Sequence, residues 1–519
     1  MTEVPEAGKS GILSSAKMPE TAGPTLRIRL MVASTVLIGC AAVGIVVSKV
    51  IVGRPKFGAH DSVAGRAANK PAVNAKAAAD IADIEAAIRG DGSEISTPQE
   101  RGYHSLTPSR RAQSLAERIP ADASTYALAL KAIAEGQFTE GRRLLEMAAK
   151  ENPGERWRTD VALSVLEVYS GRYDEAAPHA KSAMSARPQD PIPLLQAAVS
   201  LLNAGKFDEA AKYASDTVHL QEKQGKTGTP QFADSLDTLA TALGATGHFA
   251  ESALDFRRAV DIRTKSGGSA APGNARTLNR LATLYDAQGR FAEAEPLYQQ
   301  ALASARKLYG DESAEAAVCL NNLAGHYAVQ RQFAKAEPLF TQALNIQVKT
   351  LGEQNLETVQ TLNNLAGLYS ERGRLKQAEE LFARALQVQV KFAGPDSPDA
   401  AQTMDNLANV FTRERRYQEA ETLYQRELAA REKTLGKDHV ETAVTLNNLA
   451  CLYTQIGRYQ EAGPLFVRAV AIHQKLDGDT DPEAGNAYGN YAILLRKQQR
   501  TEEARFFEAL ARKLRSGRP

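Results

Sequence analysis

The chain predicts an all-α solenoid, a superhelix made by stacking helix-turn-helix units, with an apolar helix ahead of it. Three observations carry that reading. First, Leu239-Ala240, Leu281-Ala282, Leu323-Ala324, Leu365-Ala366, Leu407-Ala408, Leu449-Ala450 and Tyr491-Ala492 repeat one pair at a constant step of 42 residues. A period of this size marks units that bury their apolar faces only against their neighbours. Second, Leu320, Leu323, Ala324 and Tyr327 fall at i, i+3, i+4 and i+7 within one copy, and Phe333, Ala336, Leu339, Phe340, Ala343 and Leu344 form a second stripe. These are two amphipathic helices joined by the polar turn Gln330-Arg331-Gln332. Third, Gly310, Gly352, Gly394, Gly436 and Gly478 recur after the second helix, and Ser313, Asn355, Ser397, His439 and Asp481 follow three residues later. A glycine stop and then a capping residue punctuate each copy, with Glu315, Glu357, Asp399, Glu441 or Glu483 in the next first turn.

The elements follow in chain order. Residues 1–29 form a tail, and Leu30 to Ser48 are nineteen residues without a charge, continuing past Lys49 to Val52. As a helix, Leu30 to Ser48 is roughly 28 Å long, enough to cross a hydrocarbon core with Lys49 snorkelling to the interface, so 30–52 is expected to be a transmembrane anchor. Leu37-Ile38-Gly39-Cys40 resembles a bacterial lipobox, but the chain stays apolar after Cys40, where a lipoprotein turns polar. Lys17, Arg27 and Arg29 ahead of the span nearly balance Lys49, Arg54, Lys56 and Arg66 behind it, so the positive-inside rule leaves orientation almost undetermined. The expectation is a single-pass bacterial inner-membrane protein, leaning to an extracytoplasmic solenoid. Cys40, Gly44 and Ser48 form a small-xxx-small series through which anchors could self-associate. Residues 53–120, rich in Ala, Gly, Pro and Ser, read as a flexible linker with short helical stretches near 75–89 and 109–118. The second of these reads equally as a degenerate repeat packed on the first.

Gly136-Gln137-Phe138, Gly171-Arg172-Tyr173-Asp174-Glu175-Ala176 and Gly205-Lys206-Phe207-Asp208-Glu209-Ala210 open a shorter series, with Ala176 and Ala210 separated by 34 residues. This series and the phrases Leu320-Asn321-Asn322-Leu323-Ala324 and Phe333-Ala334-Lys335-Ala336-Glu337-Pro338-Leu339-Phe340 resemble the tetratricopeptide repeat (TPR). The later copies resemble the 42-residue variety of kinesin light chains. The resemblance implies about ten repeats: three 34-residue TPR-like units over 121–222 and seven 42-residue units over 232–519. Kinesin light chains carry a heptad coiled coil ahead of their repeats, where this chain has an apolar segment and a loose linker.

Little suggests chemistry. A net charge of +2 with 24% charged residues offers no field for nucleic acid. Gly225-Lys226-Thr227 ends like a phosphate-binding loop, but residue 220, where the motif needs its first glycine, is leucine, and a helix precedes it rather than a strand. The eight histidines form no HExxH and no pair at ligand spacing, and no GxSxG elbow occurs. Cys319 and Cys451 lie three repeats apart, too far to be bridged in a solenoid. No catalytic residue, metal or cofactor is expected.

One column needs a reason. Asn322, Asn364, Asn406, Asn448 and Asn490 occupy one position in five successive first helices, after Thr238 and Arg280. Asparagine is a mediocre helix former, so its recurrence reflects use. The resemblance implies first helices lining a concave groove, with these amides holding the backbone of an extended peptide. The competing role is structural, each amide bonding a neighbouring helix and setting register. The adjacent column, Asp237, Asn279, Asn321, Asn363, Asp405 and Asn447, reads as a solvated face. The functional expectation is a membrane-anchored, non-catalytic scaffold binding protein or peptide partners. The alternative is a cell-envelope factor that binds glycan or regulates an envelope synthase or secretion complex; it would call for aromatic residues on the groove face.

Overall fold

The column of alanines is where the helices come closest. Ala240, Ala282, Ala324, Ala366, Ala408, Ala450 and Ala492 are all completely buried, and so are Ala294, Ala336, Ala378, Ala420 and Ala462 on the second helices. Small side chains at facing positions let the two helices of one repeat approach, and an aromatic follows two turns into the second helix. Phe256, Tyr298, Phe340, Phe382, Tyr424 and Phe466 form that ring column, none of them more than 2% exposed.

The computed structural model describes residues 116–117, 119, 123–169, 172–476 and 482–516. Among these are twenty α-helices and no strand. They are α1 Thr125–Ala134, α2 Phe138–Glu151, α3 Arg156–Tyr169, α4 Tyr173–Ala186, α5 Pro191–Asn203, α6 Phe207–Lys223, α7 Pro230–Ala245, α8 Phe249–Gly267, α9 Asn274–Ala287 and α10 Phe291–Tyr309. After them come α11 Ala314–Val329, α12 Phe333–Thr350, α13 Leu356–Glu371, α14 Leu375–Ala393, α15 Pro398–Arg413, α16 Tyr417–Thr434, α17 Val440–Gln455, α18 Tyr459–Leu476, α19 Pro482–Lys497 and α20 Thr501–Ser516. Odd-numbered helices are the first of each unit and even-numbered ones the second. The chain divides into two compact units, one ending at Asn364 and the other beginning at Leu365, inside α13.

Helix ends fall where the punctuation places them. Ser313 and Ser397 accept from the backbone N–H of Ala316 and Ala400, each at 3.2 Å, and Asn355 accepts from Glu357 at 2.9 Å. His439, the least conventional residue of that column, also caps, its Nδ1 accepting from Glu441 N–H at 3.2 Å. Gly310 and Gly394 stop α10 and α14 with φ of 96° and 86°, values that only glycine adopts cheaply.

The anchor at 30–52, the tail before it and nearly all of the linker lie outside the described residues. No described helix is long and apolar enough to cross a membrane. Ala116 and Ile119 are buried with Leu130 and Ile133 of α1 and Leu166 of α3, and the Lys131 ammonium donates to the Ile119 carbonyl at 3.2 Å. The packed chain therefore reaches back at least to Ala116.

The first-helix face and its polar seam

The first helices α11, α15, α17 and α19 each keep one stripe that reaches solvent. In α11 it runs through Glu315, Val318, Asn322 and Val329, and residues 319–321 and 323–328 between them are buried. In the second unit the stripe comprises Asp399, Gln402 and Asn409 of α15, Glu441, Val444 and Cys451 of α17, and Asn486, Asn490 and Ile493 of α19. The spacing is that of one helix face. The asparagine column lies along this stripe but not at a uniform depth. Asn322, Asn364 and Asn490 are half-buried, while Asn406 and Asn448 are 8% and 4% exposed.

Three of the five amides donate to the column beside them. Asn364 donates to Asn321 Oδ1 at 3.1 Å, Asn448 to Asp405 Oδ1 at 2.6 Å and Asn490 to Asn447 Oδ1 at 3.1 Å. In every case the acceptor stands 43 residues earlier, in the column that the sequence presents as a solvated face. Asp237, Asn279, Asn321, Asp405 and Asn447 are at most 7% exposed rather than solvated, while Asn363 of the same column is half-buried. At these three positions the two columns form a ladder between successive first helices. Arg280 obeys the same rule, its Nη1 donating to Asp237 Oδ2 at 2.5 Å, again 43 residues back.

A second polar column escapes sequence reasoning. Arg263, Gln347, Gln389, Arg431 and His473 recur on the second helices at multiples of the period and are at most 4% exposed. Fourteen residues on, the next first helix offers Thr277, Thr361, Thr403 or Thr445, all at most 1% exposed. Arg263 donates to Thr277 Oγ1, and Arg431 does the same to Thr445 Oγ1 at 3.1 Å. The signal was present in the sequence as a polar residue repeated where the apolar stripe should run.

Two of these positions build buried charge clusters. In the first unit, Arg263 bonds Asp234 at 2.7 Å with both side chains only 2% exposed, Arg280 bonds Asp237, and Arg276 stands one turn before Arg280. Burial pushes the Asp234 carboxyl up to about 6, against the pull of Arg263. Burial would raise Asp237 too, but Arg280, Arg263 and Arg276 together hold it below the ordinary carboxylate range. Burial and the like charges of Arg280 and Arg263 bring Arg276 down to about 10. In the second unit, Arg431 lies 3.2 Å from Glu427 and 3.1 Å from Glu441, donates to Gln402 at 3.3 Å, and Thr445 donates to Glu427 at 2.8 Å.

Among the described residues no group of three or more His, Cys, Asp or Glu could hold a metal ion. Burial pushes the Cys319 thiol up to about 12, which leaves it protonated and inert as a nucleophile.

Family models described as tetratricopeptide repeat match residues 168–223 and 232–266. A further model of that description matches 255–307, 273–347, 315–390, 357–433, 399–462 and 452–516. The chain belongs to the tetratricopeptide repeat family. Several solved structures resemble this TPR chain. BtubC (BKLC) from P. vanneervenii is 24% identical over 44% of this chain and 91% of its own, with a TM-score of 0.39. A Podosopora anserina protein with nearly identical TPR-like repeats is 28% identical over 40% of this chain and 98% of its own, with a TM-score of 0.36. The apo form of the quorum sensor NprR from B. thuringiensis is 14% identical over 70% and 99%, with a TM-score of 0.49. No curated protein matches the TPR chain.

Proposed function

We propose that the chain is a membrane-anchored TPR scaffold that binds a protein or peptide along the solvent-reaching stripe of its first helices, without catalysis. The observation that carries this reading is the repetition of one half-open amide position on the first helices, at Asn322 and Asn364 in the first unit and at Asn490 in the second. An amide has two N–H donors and an acceptor oxygen, and the ladder uses one N–H of Asn364 and one of Asn490. The same side chain can therefore set register and still meet the backbone of an extended segment. The stripe residues Val318, Gln360, Gln402, Val444 and Asn486 are amides and valines rather than the rings on which a sugar would stack. That composition favours protein over glycan. Anchoring rests on the uncharged span within 30–52 and is a proposal of the sequence.

A crosslinking pull-down from membranes tests the face. Val444→Lys together with Asn486→Lys changes two half-buried stripe residues that are not donors in the ladder. The variant should melt within a degree or two of wild type and lose its crosslinked partners. Unchanged capture would remove the face from consideration. Anchoring is tested separately: the full chain should stay with membranes through alkaline extraction, and recovery in the soluble fraction would end that part of the proposal.

A further inference from the structure

The outward side of α20 differs from that of the second helices before it. Ala504 and Ala511 are buried, and Phe507 meets the rings of Tyr488 and Tyr491, so α19 covers that side. The opposite side carries Glu502, Phe506, Ala509 and Lys513, spaced by four, three and four residues, which is the seam spacing of a coiled coil. Phe506 is 52% exposed and Ala509 is half-buried. At the register of Phe506 the second unit otherwise has Glu380, Thr422 and Pro464. The apolar surface continues on α18, where Pro464, Val467 and Ala471 are exposed. Leu510 joins the two stripes by register, since its counterpart Arg468 reaches back to Glu432 on α16 at 2.5 Å.

A further repeat stacked on the end does not suit this helix. Leu428 of α16 packs against a cluster that includes Ala443 and Leu446 of the next first helix, and at its register α20 has Arg512. Gly489 stands at the acceptor register of the ladder, where Asp405 and Asn447 each receive a bond from the following first helix. Head-to-tail stacking would cover a charge with no partner and lose a rung.

The order of charges along α20 selects a different occupant. Glu502 and Glu503 begin the helix, Arg512 and Lys513 lie near its end, and all four are exposed. An antiparallel copy of the helix, related by a two-fold axis between Phe507 and Glu508, brings Glu502 opposite Lys513 and Glu503 opposite Arg512. Phe506 then faces Ala509, a large ring against a small residue, which lets the helices approach. Each pairing occurs twice, as a contact between identical surfaces requires. A parallel copy would set like charges together. The same registers of α16 hold Gln418, Glu419, Leu428 and Ala429, which have no such order.

We propose that the outward face of α20, with the adjoining stripe of α18, is the contact of a two-fold homodimer, its occupant a second copy of this chain. The rings and aliphatic groups supply the burial, and the end charges fix the antiparallel direction. The contact uses second helices only, so it does not depend on the reading given to the first-helix face.

Sedimentation of the full-length protein in mild detergent should give two chains per particle at micromolar concentration. Glu502→Lys with Glu503→Lys, and separately Arg512→Glu with Lys513→Glu, should each weaken the dimer by roughly tenfold or more, because like charges then meet at both ends. Mixing the two variants, differently tagged, should restore pairing as a mixed dimer. The anchor is the same in every variant, so a dimer held through Cys40, Gly44 and Ser48 would survive both swaps. Ala509→Lys is an independent break that sets a charge against Phe506 of the other copy, and its melting temperature should stay within a degree or two of wild type. A monomeric wild type overturns the proposal and leaves the face to a partner of another kind. So does a dimer unaffected by the charge swaps or by Ala509→Lys, and so do swapped chains that fold yet stay apart when mixed.

Discussion

Arg280 and Asn448 stand at the same register and make the same bond, yet their surroundings differ. Arg280 donates to Asp237 at 2.5 Å and Asn448 to Asp405 at 2.6 Å, each across 43 residues to the preceding first helix. Elsewhere on the ladder an amide serves as acceptor too, with Asn364 bonding Asn321 and Asn490 bonding Asn447, each at 3.1 Å. What register demands is one donor and one acceptor, and neither has to be charged. A charged rung costs desolvation on both sides, so where a neutral rung works, charge needs a separate reason. The comparison thus separates what the fold needs from what the first unit adds.

The largest expected effect breaks the comparison at its acceptor. Asp237→Asn leaves Arg280, Arg263 and Arg276 with one carboxylate among them, and breaking a buried ion pair by removing one partner costs roughly 3 to 5 kcal/mol. Asp405→Asn creates the residue already native at positions 321 and 447, so it should cost about 1 kcal/mol. Denaturant melts of the two variants give both numbers. Equal losses would mean that the charge at 237 is ordinary. Because Asp237 is held below the usual carboxylate range, its contribution is present above that range and is lost as pH falls through it. The gap between the two variants should therefore close in acid.

Next in size is an overpacking test of whether the ladder couples more than neighbours. Ala450 is completely buried at the close approach of α17 and α18. Ala450→Leu should cost about 1 to 3 kcal/mol, and amide exchange should quicken in α15–α20 but not in α1–α6, since solenoid units depend on their neighbours. Uniform quickening along the chain would contradict that coupling. Smaller again is Arg280→Asn, which installs the residue of the next five repeats. It keeps an N–H for Asp237, lets the charges of the cluster balance, and should shift stability by no more than about 1 kcal/mol. A loss as large as that of Asp237→Asn would show that Arg280 is a structural pin and that its charge is needed by the fold.

The repeat made most of this architecture readable, because a solenoid writes its contacts into a period. The alanine and ring columns, the glycine stops and the caps each recur at one register, so a single copy predicts the others. The ladder was legible only by half. Position 322 and its kin announced themselves by an unfavourable residue, but their acceptors looked like a solvated face, since a mixed Asp and Asn column does not show which neighbour covers it. The buried column through Arg263 and Arg431 was harder still, because it mixes Arg, Gln and His and is interrupted by Ala305. The charge cluster was almost illegible without the fold. Asp234, Arg263 and Arg280 come from three successive helices, and their separations in sequence match no familiar motif. Its one visible trace was Gly273, the place where the first-turn acids are absent.

The smallest expected effect is the most diagnostic, because its sign is opposite to that of Asp237. Burial pushes Asp234 up to about 6 although Arg263 lies 2.7 Å away. A carboxyl with a folded pKa above its unfolded value of about 3.9 adds stability that is complete below the unfolded value. That stability is lost as pH rises through about 6. An amide at this position stands for the protonated acid at every pH. Asp234→Asn should therefore melt with wild type near pH 4 and slightly above it near pH 8. The gain stays small because Arg263 gives up a charged partner while the cluster sheds a buried charge. Paired melts of the variant and wild type across that range isolate the one carboxyl, since every other titrating group is common to both. A difference that does not change with pH would mean that Asp234 is ionised as easily as an exposed aspartate. A variant that falls behind wild type as pH rises would mean that Arg263 wins over burial, and that both carboxylates of the cluster are ordinary ion-pair partners. If instead Asp234→Asn gains on wild type over the range where Asp237→Asn loses, two aspartates three residues apart on α7 divide the work. One carries the charge that holds the ladder, and the other is a buried acid that the fold would accept neutral.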